Sequence, residues 1–144
     1  MNAAEQAKSI AIVSKIAAVV NLFHSQFPEV LTDFNPWVKN SETTQFDDPH
    51  SIDLAFHFSQ RSFACQSRCI LMQIRLPGAM PTHSPRVIGV ELSGHGGFGQ
   101  QWRFSTTGHW EFCGLTPPLP DAQRKLRQIG LKTLQLFDLL TLQS

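Results

Sequence analysis

Cysteine and histidine side chains can bind a metal or act as nucleophile or base, and this chain has three cysteines and six histidines. Cys65-x3-Cys69 and His109-x3-Cys113 form two pairs of soft ligands, which suggests zinc. If the pairs lie on strands, residues four apart are separated by roughly 13 Å, beyond the reach of one ion. We therefore predict no metal and no cofactor, and expect Cys69 and Cys113 to be half-buried small residues.

A glycine-rich stretch, GHGGFG at residues 94–99, matches the spacing of a dinucleotide-binding loop. That loop must open a helix, whereas here the chain continues into QQWRFS, a strand pattern. The glycine loop of protein kinases does lie between two strands, but neither H-R-D nor D-F-G follows. We interpret the stretch as a hairpin connection whose glycines allow positive φ, with His95 at its tip.

Acid–base catalysis needs a histidine beside a carboxylate, and the sequence offers two such combinations. In strand parity, His57 and His109 share a face with Asp53 and Glu111. No G-x-S-x-G motif occurs, and none of the cysteines has a recognisable nucleophile setting. The sequence favours a non-catalytic protein and leaves an enzyme as the alternative.

The first element that positions these residues is a helix predicted over residues 3–27. Its apolar residues fall at helical spacing on one face: Ile12, Ile16, Val19, Val20, Phe23 and Phe27. Pro28 is expected to end this helix, because a proline disfavours helical backbone in the residue before it. The following residues 28–51 predict either a short helix or an irregular apolar strip at a sheet edge.

Five strands are predicted next, over residues 51–59, 66–76, 86–93, 100–105 and 109–114. In each, apolar side chains alternate with polar ones, which is typical of a strand with one buried face. The residues predicted to face inward include Ile52, Leu54, Phe56, Phe58, Ile70, Met72, Ile74, Val90, Leu92, Trp102, Phe104, Trp110 and Phe112.

A second helix is predicted from residue 120 to about residue 142, with Pro120 favouring its first turn and Asp121 as its N-cap. Beyond Leu131 the apolar residues cover more than one stripe, so the helix is buried on most sides. The surplus either packs within the monomer or forms an interface. For the second case we predict that Leu134, Phe137 and Leu140 form a homodimer interface.

These elements predict one domain over residues 1–144 with an α+β fold. An N-terminal helix, an antiparallel meander sheet of about five strands and a C-terminal helix follow in order, with both helices on one sheet face. The open face then carries the polar side chains of the strands. The predicted ligand-binding residues are those of this face together with His95: His57, Arg75, Glu91, Arg103, His109 and Glu111.

Composition restricts the classes of partner. The net charge is +1, so no global field attracts nucleic acid or an anionic membrane. Arg75 and Arg103 could still contact a single strand, but the strand aromatics share the inward parity and leave no stacking platform. The apolar run over residues 10–23 contains Lys15 and is too short to span a bilayer. We expect no membrane association, and nucleic-acid binding is disfavoured.

No motif identifies a specific role. The odd number of cysteines in a chain of this size favours free thiols and the cytoplasm. We expect a small soluble binding or assembly module, homodimeric through the C-terminal helix or the open sheet face, with a second protein as a further partner. The alternatives are an enzyme or ligand-binding protein using the polar face, and a single-stranded nucleic-acid binder using the sheet arginines.

Overall fold

The computed structural model describes residues 1–38, 40, 48–78 and 88–139. Within these residues the chain forms one six-stranded sheet whose strands lie in chain order. Each neighbouring pair is antiparallel. The strands are β1 (Leu31–Asp33), β2 (Ser51–Ser62), β3 (Ser67–Arg75), β4 (Gly89–Gly96), β5 (Gly99–Ser105) and β6 (Phe112–Cys113). The predicted α+β meander is therefore confirmed.

The N-terminal helical region is split into α1 (Ala3–Gln6) and α2 (Ile10–Gln26), whereas one continuous helix was predicted. Ser9 is the reason for the break. Its backbone is extended, and its side chain accepts a hydrogen bond from the N–H of Ile12 (3.2 Å), which starts a new helix.

The C-terminal helix α3 (Pro120–Leu136) begins at the predicted place, but its N-cap is Leu119 and not Asp121. Pro120 occupies the first helical position, so the cap falls one residue earlier and Asp121 lies in the first turn. The helix also ends earlier than predicted, since Asp138 has a φ of 55° and reverses the backbone. Residues 140–144 lie outside the described residues.

The core lies between one sheet face and the helices α2 and α3. Phe23 of α2 stacks on Phe56 of β2 with ring centroids 3.7 Å apart. On β5, Trp102 and Phe104 are buried, and Gly130 of α3 approaches Phe104 closely. The inward parity predicted for β2 to β5 is confirmed, because these apolar residues are buried: Ile52, Leu54, Phe56, Phe58, Ile70, Met72, Ile74, Val90, Leu92, Trp102 and Phe104.

The sheet departs from the prediction at both edges. At one edge, β1 adds a strand inside a segment for which a strand was not predicted. At the other, β6 has two residues where residues 109–114 were predicted, because Trp110 has a φ of 57° and breaks the extended backbone. The predicted start of the third strand at residue 86 lies outside the described residues; β4 is observed from Gly89.

None of the helices in the described ranges combines the length and the apolar character needed to cross a membrane.

Candidate functional site

The open sheet face is the side of the sheet opposite α2 and α3. Strand register aligns its side chains in rows across the sheet. One row runs through Asp33, Ala55, Leu71, Ser93 and Arg103. The next runs through Leu31, His57, Cys69 and His95. A third, at the end of the sheet where β2 begins, joins Asp53, Gln73, Glu91 and Ser105.

Three of the predicted ligand-binding residues meet on this face in what we call the arginine cluster: Arg75, Glu91 and Arg103. Glu91 on β4 is diagonal to Arg75 on β3 and to Arg103 on β5, a spacing that long side chains bridge. Arg75 donates a hydrogen bond to Oε2 of Glu91 through Nε (3.0 Å), and its Nη2 forms an ion pair with the same oxygen at 2.9 Å. Arg103 donates through Nη2 to Oε1 (2.6 Å). Each carboxylate oxygen of Glu91 thus serves a different guanidinium.

The arginine cluster is unevenly exposed. The side chains of Arg75 and Glu91 are only 7% and 10% exposed, whereas that of Arg103 is 55% exposed. The Nη1 atom of Arg75 is buried and has no hydrogen-bond partner among the described residues. Two guanidiniums and one carboxylate leave the arginine cluster with one formal positive charge, and the unused donor Nη1 lies in its buried part.

A histidine–carboxylate pair lies near the β1 edge of the open face. Nε2 of His57 is 3.4 Å from Oδ2 of Asp33, and both side chains are well exposed. Cys69 is the cross-strand neighbour of His57. Burial raises the pKa of the Cys69 thiol, and the charge of Asp33 raises it further. A nucleophilic cysteine requires the opposite shift, so the three residues do not form an activated Cys–His–Asp site.

His95 was predicted at the tip of a glycine loop, and this is wrong. The β4–β5 ladder continues through His95–Gln100 and Gly96–Gly99, so the tip is the turn at Gly97 and Phe98. His95 lies on the open face, with Nε2 2.8 Å from Oγ of Ser93. Burial lowers its pKa, so the imidazole is uncharged at neutral pH and acts there as a polar neighbour rather than a cation.

His109 and Glu111 were predicted to share the polar face with His57, and the structure does not bring them together with it. Both are exposed and lie in the connection between β5 and β6, outside the strands. The positive φ of Trp110 between them ends the strand alternation on which that prediction depended.

The three cysteines are free and differ in exposure: Cys65 is buried, Cys69 is partly buried and Cys113 is exposed. Burial raises the pKa of Cys65 to about 11. In the described part of the chain, His, Cys, Asp and Glu side chains form no group of three or more that could hold a metal ion.

The predicted interface residues of α3 and its C-terminal extension lie in the interior. Leu134 is fully buried and Phe137 is 9% exposed; both belong to the main hydrophobic core. These two side chains are therefore not on the surface of a monomer, and the apolar surplus that they represent is core. Leu140 lies outside the described residues.

Comparison with known proteins shows a family match. Residues 4–139 match the model of a family described as a domain of unknown function. The chain belongs to this family. Neither the curated proteins nor the solved structures include a significant match to it. Family membership therefore adds no activity, and the site must be interpreted from its own residues.

An apolar surface lies beside β1, and we call it the β1 edge surface: Leu31, Phe34, Trp37 and Val38. An irregular apolar strip at a sheet edge was one of the two alternatives predicted for this segment, but the sequence did not indicate that these residues stay exposed. Their side chains are 69%, 41%, 42% and 75% exposed. The alternation of Leu31, Thr32 and Asp33 is the only sequence signal for this strand, and three residues are too few to define a period of two. The side chain of Thr32 faces α2, and its Oγ1 lies 3.1 Å from Nε2 of His24.

Proposed function

We propose that the protein is a small non-catalytic binding and assembly module that forms a homodimer through the open sheet face at its β1 edge. The observation that carries this proposal is the concentration of exposed apolar side chains there. Of the ten large apolar side chains exposed among the described residues, four lie in the β1 edge surface. Single exposed apolar residues need no explanation, but a group of them favours an interface.

The position of β1 supports a second copy as the occupant. β1 is the first strand of the sheet order, so its outer edge has no strand partner within the described ranges. An edge strand offers free N–H and C=O groups, and two identical edges can pair antiparallel about a two-fold axis. Such pairing would place Leu31 of each copy at the junction of two six-stranded sheets.

The size of the β1 edge surface sets the expected affinity. Its four partly exposed side chains present a few hundred Å² of apolar area, roughly the largest patch of a typical monomer. A standard interface buries about 800 Å² on each partner. We therefore expect a dissociation constant in the micromolar range or weaker, and a dimer that is seen only in a concentration series.

The test is native mass spectrometry with light scattering, from about 5 to 500 μM protein. Leu31→Lys places a charge on the edge and is expected to weaken dimerisation by at least tenfold. Leu115→Lys is the matched control, because Leu115 is 93% exposed and the next residue, Thr116, bonds to Gln101 on β5, far from β1. Unchanged circular dichroism would show that both variants fold.

Two results would overturn the proposal. One is a wild-type protein that stays monomeric across the whole concentration range. The other is Leu31→Lys protein that dimerises no more weakly than Leu115→Lys protein. His57→Ala should leave assembly unchanged, because the ion pair of His57 is with Asp33 of its own chain and its loss adds no charge to the edge.

The proposal includes a cytoplasmic location, which the three free cysteines support, since thiols persist in a reducing compartment. A second protein that adds to the β1 edge is the other occupant that this surface fits. It would appear in the same measurement as a heteromeric complex that Leu31→Lys disrupts.

A further inference from the structure

We propose that the arginine cluster is a binding site for a carboxylate, with Arg75 and Arg103 as the binding residues and Glu91 as the residue that positions them. This site is separate from the β1 edge, because the cluster lies on β3, β4 and β5. The inference starts from a charge imbalance that the described residues do not correct.

The imbalance is local. Asp53, in the same cross-strand row as Glu91, is the other buried carboxylate of the row. Its oxygens are engaged by the amino group of Met1 (3.0 Å), Nε1 of Trp37 (2.6 Å) and Oγ of Ser51 (2.6 Å). Glu91 alone therefore faces two guanidiniums.

An arginine cannot correct such an imbalance by losing its proton, because a guanidinium stays protonated in proteins. Arg75 is buried with its Nη1 donor unused. A buried donor without an acceptor costs free energy, and more when the group is charged. An external anion would supply both the missing acceptor and the missing charge.

The guanidiniums are already oriented for this task. Arg75 uses Nε and Nη2 on Glu91, which fixes the plane of its guanidinium and the direction of Nη1. Arg103 is held from the other side through Nη2. Because Nη1 is buried, a ligand can reach it only if a side chain moves. Arg103 is the exposed member of the cluster and donates to Glu91 through one nitrogen. Moving the Arg103 side chain therefore breaks one hydrogen bond and gives up little burial.

The charge balance favours a carboxylate over a phosphate. One negative charge neutralises the cluster, and a planar carboxylate matches the guanidinium fork. A phosphate monoester carries nearly two charges at neutral pH and would be repelled more strongly by Glu91 at short range. The carboxylate could belong to a small organic acid or to a peptide, since both present the same group.

The test follows the Nε–H signal of Arg75 by ¹⁵N NMR, which reports on the cluster directly. Sodium acetate replaces sodium chloride at constant ionic strength. We expect a saturable shift of this signal. Arg103→Gln should weaken acetate binding at least tenfold and still fold, because the Arg103 side chain is half exposed. Arg68→Gln is the matched control, since Arg68 is exposed on the same strand as Arg75 and is expected to leave binding unchanged.

Three further probes sharpen the result. Methyl phosphate should bind at least tenfold more weakly than acetate. Succinate and N-acetylglycylglycine distinguish the two sources of the carboxylate: tighter binding of the first indicates a small acid, and tighter binding of the second a peptide C-terminus. The proposal is overturned if acetate gives no saturable shift, if Arg68→Gln weakens binding as much as Arg103→Gln, or if methyl phosphate binds more tightly than acetate.

Discussion

Removing the negative charge of Glu91 is the most informative single perturbation of this protein. Glu91→Gln keeps the shape of the side chain but leaves the buried guanidinium of Arg75 without a counter-ion. The hydrogen bond from Nε of Arg75 to Oε2 is charge-assisted, and such a bond contributes about 1.5–3 kcal/mol; Nη2 adds an ion pair with the same oxygen. Leaving one member of a buried ion pair unpaired costs about 3–5 kcal/mol. We therefore expect the free energy of unfolding to fall by about 3–5 kcal/mol.

The exposed arm of the cluster is the internal control. Arg103 is 55% exposed, so its charge is screened by solvent and its bond to Glu91 contributes little to stability. We expect Arg103→Gln to lower the free energy of unfolding by at most about 1 kcal/mol. The double variant Arg75→Met/Glu91→Leu should recover most of the stability lost in Glu91→Gln, because it removes both buried charges together.

Urea unfolding followed by tryptophan fluorescence measures these differences, since Trp102 is fully buried and reports loss of the core. With an m-value of about 2 kcal/mol/M, the Glu91→Gln midpoint should move down by about 2 M. A loss below about 1 kcal/mol, or one equal to that of Arg103→Gln, would refute the reasoning. It would mean that Arg75 is solvated or paired in a way that the described structure does not show.

Two further predictions concern the core and the thiols. Gly94→Ala would place a methyl group inside the indole ring of Trp102, so we expect urea titration to show a free energy of unfolding lower by at least about 2 kcal/mol. The control is Gly97→Ala, which should change little because no atom lies within 4 Å of the added methyl group, and similar losses for both variants would contradict this prediction. With a disulfide reagent at pH 8, we expect the exposed Cys113 to react fast and the buried Cys65, whose pKa burial raises to about 11, to react only as fast as the protein unfolds. Cys113→Ser should remove the fast phase, and fast labelling of Cys65 would contradict the prediction.

The sequence by itself determined the architecture and the sorting of side chains between the two sheet faces. A period of two along β2 separates Ile52 and Leu54 from Asp53, and the helical period of α2 collects Ile16 and Phe23 on one face. These patterns are local and depend only on how a strand or a helix orients successive side chains. They could therefore be predicted before any long-range contact was known.

Only the tertiary structure decided which residues of the polar face meet. The contacts of Glu91 with Arg75 and Arg103 are diagonal, so they depend on strand register, and a slip of one residue would turn these side chains to the other face. His109 has a suitable chemistry but lies outside the strands, because the backbone turns at Trp110.

Burial of the apolar surplus was likewise a tertiary outcome. The pattern of the C-terminal helix is the same whether Leu134 packs within one chain or between two, since periodicity records that a face is apolar and not what covers it. In the structure the core covers Leu134, while Leu31, on a strand too short to show a period, is left exposed at the sheet edge. The surface available to a partner was thus decided by packing, because packing determines which apolar side chains remain uncovered.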